Sequence, residues 1–255
     1  MRAFKAFLRK ELTAQKRTGK LYILAAVALL LGIMAPASAK LMPKLLESIG
    51  TEGSGITVTM TETTAFSSFQ QFFKNASMML IVFFAVEMGI FTGEYRSGTL
   101  VLALTKGLSR GKVLAAKTIV LISVWTVCWL VSFGITCGYT AALWSMDTVN
   151  DLAFAAFAYW LFGGMMTAVL VFFSSFAGSA GVVVGGVAGV YFGYSLLGMI
   201  PKLGKYLPVK LTDADSLMNG SAAISEYIPA AVIAGVVMTA ALAAAGVIFS
   251  KRGMG

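Results

Sequence analysis

The chain has 255 residues, 58% of them hydrophobic and only 12% charged, with a formal net charge of +9. Soluble domains carry about 25% charged residues, so charge this sparse cannot coat a water-facing surface, and a soluble enzyme is excluded. There is no histidine; Ser-His-Asp and Cys-His catalysis, His-ligated zinc and histidine proton relays go with it. Cys128 and Cys137 fall in one apolar run and read as small packing residues, neither a disulfide framework nor a metal site.

Residues 1–20 hold Arg2, Lys5, Arg9, Lys10, Lys16, Arg17 and Lys20 against the single acid Glu11, while Phe4, Phe7, Leu8 and Leu12 recur at helical spacing. That pattern predicts an amphipathic helix on the inner membrane surface, with membrane lipid as its partner. The first span is expected at 21–42. Ala37-Ser38-Ala39 near its end imitates a signal-peptide cleavage site, but the basic leader is long for a cleavable signal, so an uncleaved span is the reading. Residues 43–70 form a polar loop, rich in Thr, Ser and Gly, whose aromatic end (Phe66, Phe69, with Phe72 and Phe73 following) suits a membrane interface.

Further spans are expected at 72–91, 113–143, 152–173, 181–200 and 227–249. The third is long for one crossing, so it tilts or projects beyond the bilayer. A second polar loop, 201–225, looks re-entrant. The fold class is therefore all-α: a polytopic bundle of six transmembrane helices (21–250) behind an interfacial helix (1–20), with 94–112 as a cytoplasmic segment.

With both termini inside, the inner segments hold 14 of the 20 Lys and Arg and only Glu11 and Glu94 as acids, a net of +12. The outer segments hold 6 basic and 8 acidic residues, a net of −2. The positive-inside rule thus places both termini in the cytoplasm, and the basic excess needs no nucleic acid to explain it.

Three groups of residues stand out within this frame. Glu87 is the only acid well inside a span, and an intramembrane acid is a functional candidate by default; a hydrogen-bonded packing acid is the alternative. With Phe83, Phe84, Met88 and Phe91 it could line an apolar substrate path, although packing is the commoner use of such residues. Gly181, Gly185, Gly189 and Gly193 recur every four residues in the fifth span and form one smooth face for close helix packing, a subunit interface included. Gly98 and Gly107 punctuate a short leucine-rich stretch between the second and third spans; a short helix there could transmit force from a partner, or be an ordinary loop.

Glu94, Gly98, Thr99 and Leu100, then Ser109 and Arg110, then Lys117 form a pattern that resembles the ABC-2 type transporter permeases. The likeness extends to the basic leader, the six spans, the larger first outer loop and the loop before the last span. It implies a permease subunit of an ATP-driven exporter, similar to those that handle bacitracin, lantibiotics or other amphipathic peptides, in a bacterial cytoplasmic membrane. It implies a separate ABC ATPase that binds ATP and magnesium, a second permease copy, and no cofactor on this chain. The chain contains neither a G-x-x-x-x-G-K-[ST] phosphate loop nor the E-A-A-x-x-x-G loop of importers, so it is not read as an enzyme. The resemblance makes 94–110 the coupling helix, carried by Glu94, Arg96, Gly98, Thr99, Leu100, Leu104 and Arg110. The other readings are an ion- or proton-driven secondary carrier, for which one intramembrane acid and no clear repeat are poor support, an intramembrane enzyme, opposed by the absence of paired carboxylates in the spans, and a non-transporting anchor or sensor.

The charge asymmetry makes a topological prediction. In intact cells a membrane-impermeant thiol reagent should label Ser54→Cys and Asp213→Cys, and reach Ser109→Cys only after permeabilisation; labelling of Ser109→Cys from outside would invert the orientation.

Overall fold

The computed structural model describes residues 2–50, 63–93, 105 and 108–251. It is helical throughout the described part, with no strand among those residues. The N-terminal helix α1 (Arg2–Arg17) turns at Gly19 into α2 (Lys20–Gly50); α3 (Ala65–Glu87), α4 (Arg110–Leu143), α5 (Leu152–Phe176) and α6 (Ala180–Gly198) follow. Two short helices, α7 (Pro201–Gly204) and α8 (Ala214–Met218), precede the last long helix α9 (Ile228–Lys251). Six helices, α2 to α6 and α9, are long and apolar enough to cross a membrane. At Gly19 φ is +78°, a left-handed conformation that glycine adopts without a Cβ clash; it lets α1 leave the line of α2.

Several helices outrun the crossings expected from sequence, although α3 stops at Glu87 and α6 at Gly198, short of the expected ends at 91 and 200. α2 continues to Gly50 through Pro36 and Pro43, each removing one N–H from its ladder. α3 begins at Ala65, with Thr64 in extended geometry at its N-cap, so its first turns occupy the end of what reads as a polar loop. Phe69, Phe72 and Phe73 consequently do not line an interface: all three are buried. They share one face with Ala65, Ala76, Leu80 and Phe83, the i, i+3, i+4 stripe of a helix against a core. α4 spans 34 residues, about 51 Å at 1.5 Å per residue, well beyond a hydrocarbon core of about 30 Å.

The core is an aromatic column between α3, α4 and α5. Trp129 stacks on Tyr159 with ring centroids 5.1 Å apart and 6° between planes, Trp125 stacks on Trp129 at 5.7 Å, and Phe83 meets Trp125 edge-on at 5.6 Å. Three polar tips in and beside the column find partners, as buried indole and phenol groups favour. Trp125 Nε1 donates to the Trp160 carbonyl (3.1 Å), Trp160 Nε1 donates to Thr126 Oγ1 (3.0 Å), and the Tyr159 hydroxyl pairs with Ser77 at 3.1 Å. Elsewhere α2 approaches α4 closely at Gly32, whose carbonyl accepts from Thr136 Oγ1 at 3.0 Å. The Ser68 and Thr140 hydroxyls join α3 to α4 at 2.7 Å.

The stretch before α9 folds back onto the bundle. Leu211, Leu217 and Met218 are buried. Gln70 Nε2 donates to Asp215 (2.8 Å), the Asn150 N–H donates to the Met218 carbonyl (3.0 Å), and the Tyr227 hydroxyl donates to the Asp213 carbonyl (2.8 Å). Burial alone would raise the Asp213 carboxyl, but hydrogen bonds from Lys210 and Ser216 and the Lys210 charge hold it below its usual value.

α6 is the least covered of the six long helices. Its Gly181, Gly185, Gly189 and Gly193 meet no atom of the chain within 4 Å of an added Cβ, whereas Gly186 lies against the Phe173 ring. The glycine face therefore points away from the other helices of this chain.

Gly163 of α5 is the tightest point of the column: a Cβ there would overlap the Trp125 indole, which is itself fully buried. Gly163→Ala should destabilise the bundle by about 1–3 kcal/mol, read as a lowered midpoint of thermal unfolding in detergent, whereas Gly138→Ala, exposed on α4 with no described atom near an added Cβ, should not lower that midpoint.

Candidate functional site: a charged clamp at the basic end

α1 carries Phe7, Glu11 and Gln15 at intervals of four, which puts them on one line of the helix. All three are buried. The apolar set expected to share a membrane face is thereby split: Phe7 is inside, Phe4 and Leu8 are half-buried, and Leu12 is exposed. α1 docks onto the bundle by a line that includes an acid and an amide.

Those groups meet partners at the foot of three spans. Lys117 of α4, 1% exposed, donates to Glu11 Oε2 at 2.9 Å and to the Ile90 carbonyl at 3.1 Å, and its ammonium lies 5.4 Å from the centre of the Phe91 ring. Lys10 pairs with the other oxygen of Glu11 at 2.9 Å. Glu87, 0% exposed at the end of α3, accepts at Oε2 from Gln15 Nε2 (3.0 Å) and from Lys20 Nζ (3.1 Å). Two acids and two spanning-helix lysines, with Lys10 at the rim, thus form a largely buried cluster joining α1, α2, α3 and α4. Glu87 Oε1 and Gln15 Oε1 have no hydrogen-bond partner among the described residues.

The clamp brackets the segment between the second and third spans. Glu94, Arg96, Gly98, Thr99, Leu100 and Leu104 lie outside the described residues, but both stems of that segment are described. On the entering side Ile90 and Phe91 are buried, and the Phe91 ring meets the Phe249 ring edge-on at 5.4 Å. On the leaving side Leu108 is buried, and Arg110 Nη1 donates to the carbonyls of Phe249 (3.3 Å) and Ser250 (3.0 Å). A guanidinium on the last carbonyls of a helix satisfies groups that have no partner within it and opposes its dipole. Both stems therefore converge on the end of α9, and Lys117 holds the entering stem to α1.

The residues considered for a substrate path are brought together but packed. Phe83, Phe84 and Phe91 are buried, Met88 is half-buried, and Glu87 is covered by Gln15 and Lys20. A path along them needs the helices to separate. Among the described residues no group of three or more Cys, Asp or Glu side chains is placed to hold a metal ion.

Sequence reasoning missed Glu11, Gln15 and Lys20 as members of a site, and had Lys117 only as part of a motif. Two signals were available. Glu11 is the one acid of a basic helix, and Lys117 interrupts an apolar run, where a lysine needs a counter-charge.

A family model described as ABC-2 family transporter protein matches residues 6–214, which covers α1 to α8 in part or whole, the clamp and both stems. No curated protein matches the chain. Proteins of this family are the membrane components of ABC transporters, and ATP hydrolysis belongs to a separate ATPase subunit with which they assemble. A helical bundle with six candidate spans, a basic helix clamped at its foot and a family match over most of its length make this chain a member of the ABC-2 family of transporter permeases.

Proposed function

We propose that the chain is the permease of an ATP-driven exporter that moves hydrophobic or amphipathic substrates, such as peptides, toxins or antibiotics, by alternating access in a bacterial cytoplasmic membrane. The segment 94–110 acts as its coupling helix: closure of the partner ATPase, loaded with ATP and magnesium, pushes on it. The observation that carries this reading is the anchoring of both stems. A push on a short segment reaches the spans only if its ends are stiff, and here they are held by Phe91 against Phe249, by Arg110 on the end of α9, and by Lys117 on Ile90 and Glu11. Packed interiors transmit strain instead of absorbing it.

Two permease copies meeting through the glycine face of α6 complete the assembly. That face is smooth and unoccupied within the chain, and close helix approach over small residues is a strong mode of association in lipid. The choice of substrate class rests on the family resemblance, with fold setting no substrate by itself.

Charge reversal tests the coupling role. Glu94→Lys should weaken capture of the ATPase or uncouple ATP hydrolysis from transport in liposomes, at a cost of about 2–5 kcal/mol for a desolvated interface pair, with expression retained. Arg110→Glu should do the same and also loosen α9, because Arg110 holds its last carbonyls. If Glu94→Lys assembles and couples as the wild type does, the assignment of Glu94 fails, since a solvated loop charge costs little to reverse.

The clamp gives a separate expectation. Lys117→Met leaves Glu11 buried without its main partner and should cost about 3–5 kcal/mol, seen as a lower unfolding midpoint. The swap Glu11→Lys with Lys117→Glu should recover part of that loss; a swap no better than the single change would mean that the pair is not coupled.

A further inference from the structure

We propose that the groove between the start of α1 and the start of α4 binds one anionic phospholipid. The groove has a volume of about 520 Å³ and is lined by Phe4, Lys5, Gly111, Lys112 and Ala115. That is within the usual range for small-molecule sites, about 300–1,000 Å³. Two of the five lining residues are lysines and none is acidic. Lys5 and Lys112 are both exposed, and neither has an ion pair or side-chain hydrogen bond among the described residues. The positive end of α4 adds to them: Ser109 at its N-cap makes no side-chain cap bond, and its first turn holds no acid. Two ammonium groups with no ion pair among the described residues, at a helix N-terminus without a side-chain cap bond, favour an anion.

The apolar part of the groove selects a lipid over a soluble anion. Its walls include Phe4 and Ala115. Below Ala115 the exposed side of α4 continues through Ile119, Val127 and Leu130. From Ala115 to Leu130 is about 22 Å of helix, a track for an acyl chain. Lys112 lies about 10 Å of helix above Ile119, so a lysine side chain there reaches the headgroup layer that flanks the hydrocarbon core. Basic pockets beside spanning helices recognise anionic headgroups by this combination of charge above and apolar surface below. The proposal rests on the chain spanning a bilayer and is independent of the coupling role of 94–110.

The test is a titration of the full-length purified permease in detergent, followed by native mass spectrometry, with phosphatidylglycerol and phosphatidylcholine of matched acyl chains. Wild type should bind phosphatidylglycerol in preference. Lys5→Gln and Lys112→Gln should each weaken that binding about five-fold, and together about thirty-fold, with phosphatidylcholine binding unchanged. Lys202→Gln, outside the groove, should change neither. Ala115→Trp, which fills the groove without altering charge, should also weaken phosphatidylglycerol binding, and arginine at positions 5 and 112 should preserve it. Equal affinity for the two lipids, or full phosphatidylglycerol binding by the double glutamine variant, would overturn the site. Displacement of the lipid by glycerol 3-phosphate at the concentrations at which the lipid itself binds would identify a soluble-anion site. Loss of ATPase capture by the lysine variants with lipid binding intact would identify a protein-docking surface, and either outcome ends the lipid proposal.

Discussion

Burying the Lys117 ammonium with the Glu11 carboxylate is the constraint around which the basic end of this bundle is organised. Each ion loses hydration worth several kcal/mol when removed from water, and the attraction between them compensates only when their geometry is good and their remaining hydrogen-bonding capacity is used. Lys117 meets that condition with three neighbours: the Glu11 carboxylate, the Ile90 carbonyl and the Phe91 ring. Because leaving such a group half-partnered is costly, α1, the exit of α3 and the foot of α4 are tied together. Gln15 and Lys20 on Glu87 repeat the arrangement a turn further along α1 and bring in α2.

From that foot the structure stiffens along α4. Four residues past Lys117 Leu121 is buried, and four more bring Trp125, whose ring fits over Gly163 and stacks on Trp129, which stacks in turn on Tyr159 of α5. Towards the other end Thr136 and Thr140 tie α4 to α2 and α3. A displacement at the foot has no soft layer in which to dissipate before it reaches α5. By contrast α6 sits at the margin with its glycine face open. The molecule thus divides into a packed aromatic column and a peripheral helix whose smooth side is open among the described residues.

The spans were legible in the sequence because they are composition over length, and a bilayer leaves almost no other solution for long apolar runs. Their ends were not. Residues 65–71 read as loop because Ser, Gln and Thr surround Phe66 and Phe69, yet the helix continues there since Phe69 and Ser68 face α4, not water. The amphipathic pattern of α1 was visible, but its docking face was not: local periodicity counts Glu11 with the polar residues and cannot show a partner 106 residues away. Glu87 was singled out as an acid well inside a span, whereas it occupies the last position of α3, at the foot of the bundle. Its neighbours Gln15 and Lys20 were invisible for the same reason, since contacts across 67 and 72 residues belong to tertiary structure. The family was readable from the resemblance carried by Glu94–Lys117, and the clamping of the stems of that segment from geometry alone.

The distribution of polar groups also bears on how energy enters the molecule. A carrier driven by protons or ions needs ionisable groups or coordinating oxygens in sequence across the membrane. Here the charged cluster is confined to the foot of the bundle, and several of the buried hydroxyls above it serve local ties, while Ser132 Oγ and Ser174 Oγ have no hydrogen-bond partner among the described residues. Thr167 Oγ1 donates to the Gly163 carbonyl, Thr136 Oγ1 to the Gly32 and Ser132 carbonyls, and Ser68 pairs with Thr140. A donor engaged by a backbone carbonyl fixes a helix; it does not hand on a proton. Between the two levels stand Phe83, Trp125, Trp129 and Tyr159, a column without a free acid or base among its described neighbours. Work can pass through such a column as motion far more readily than as charge, which is what a permease moved by a separate ATPase requires.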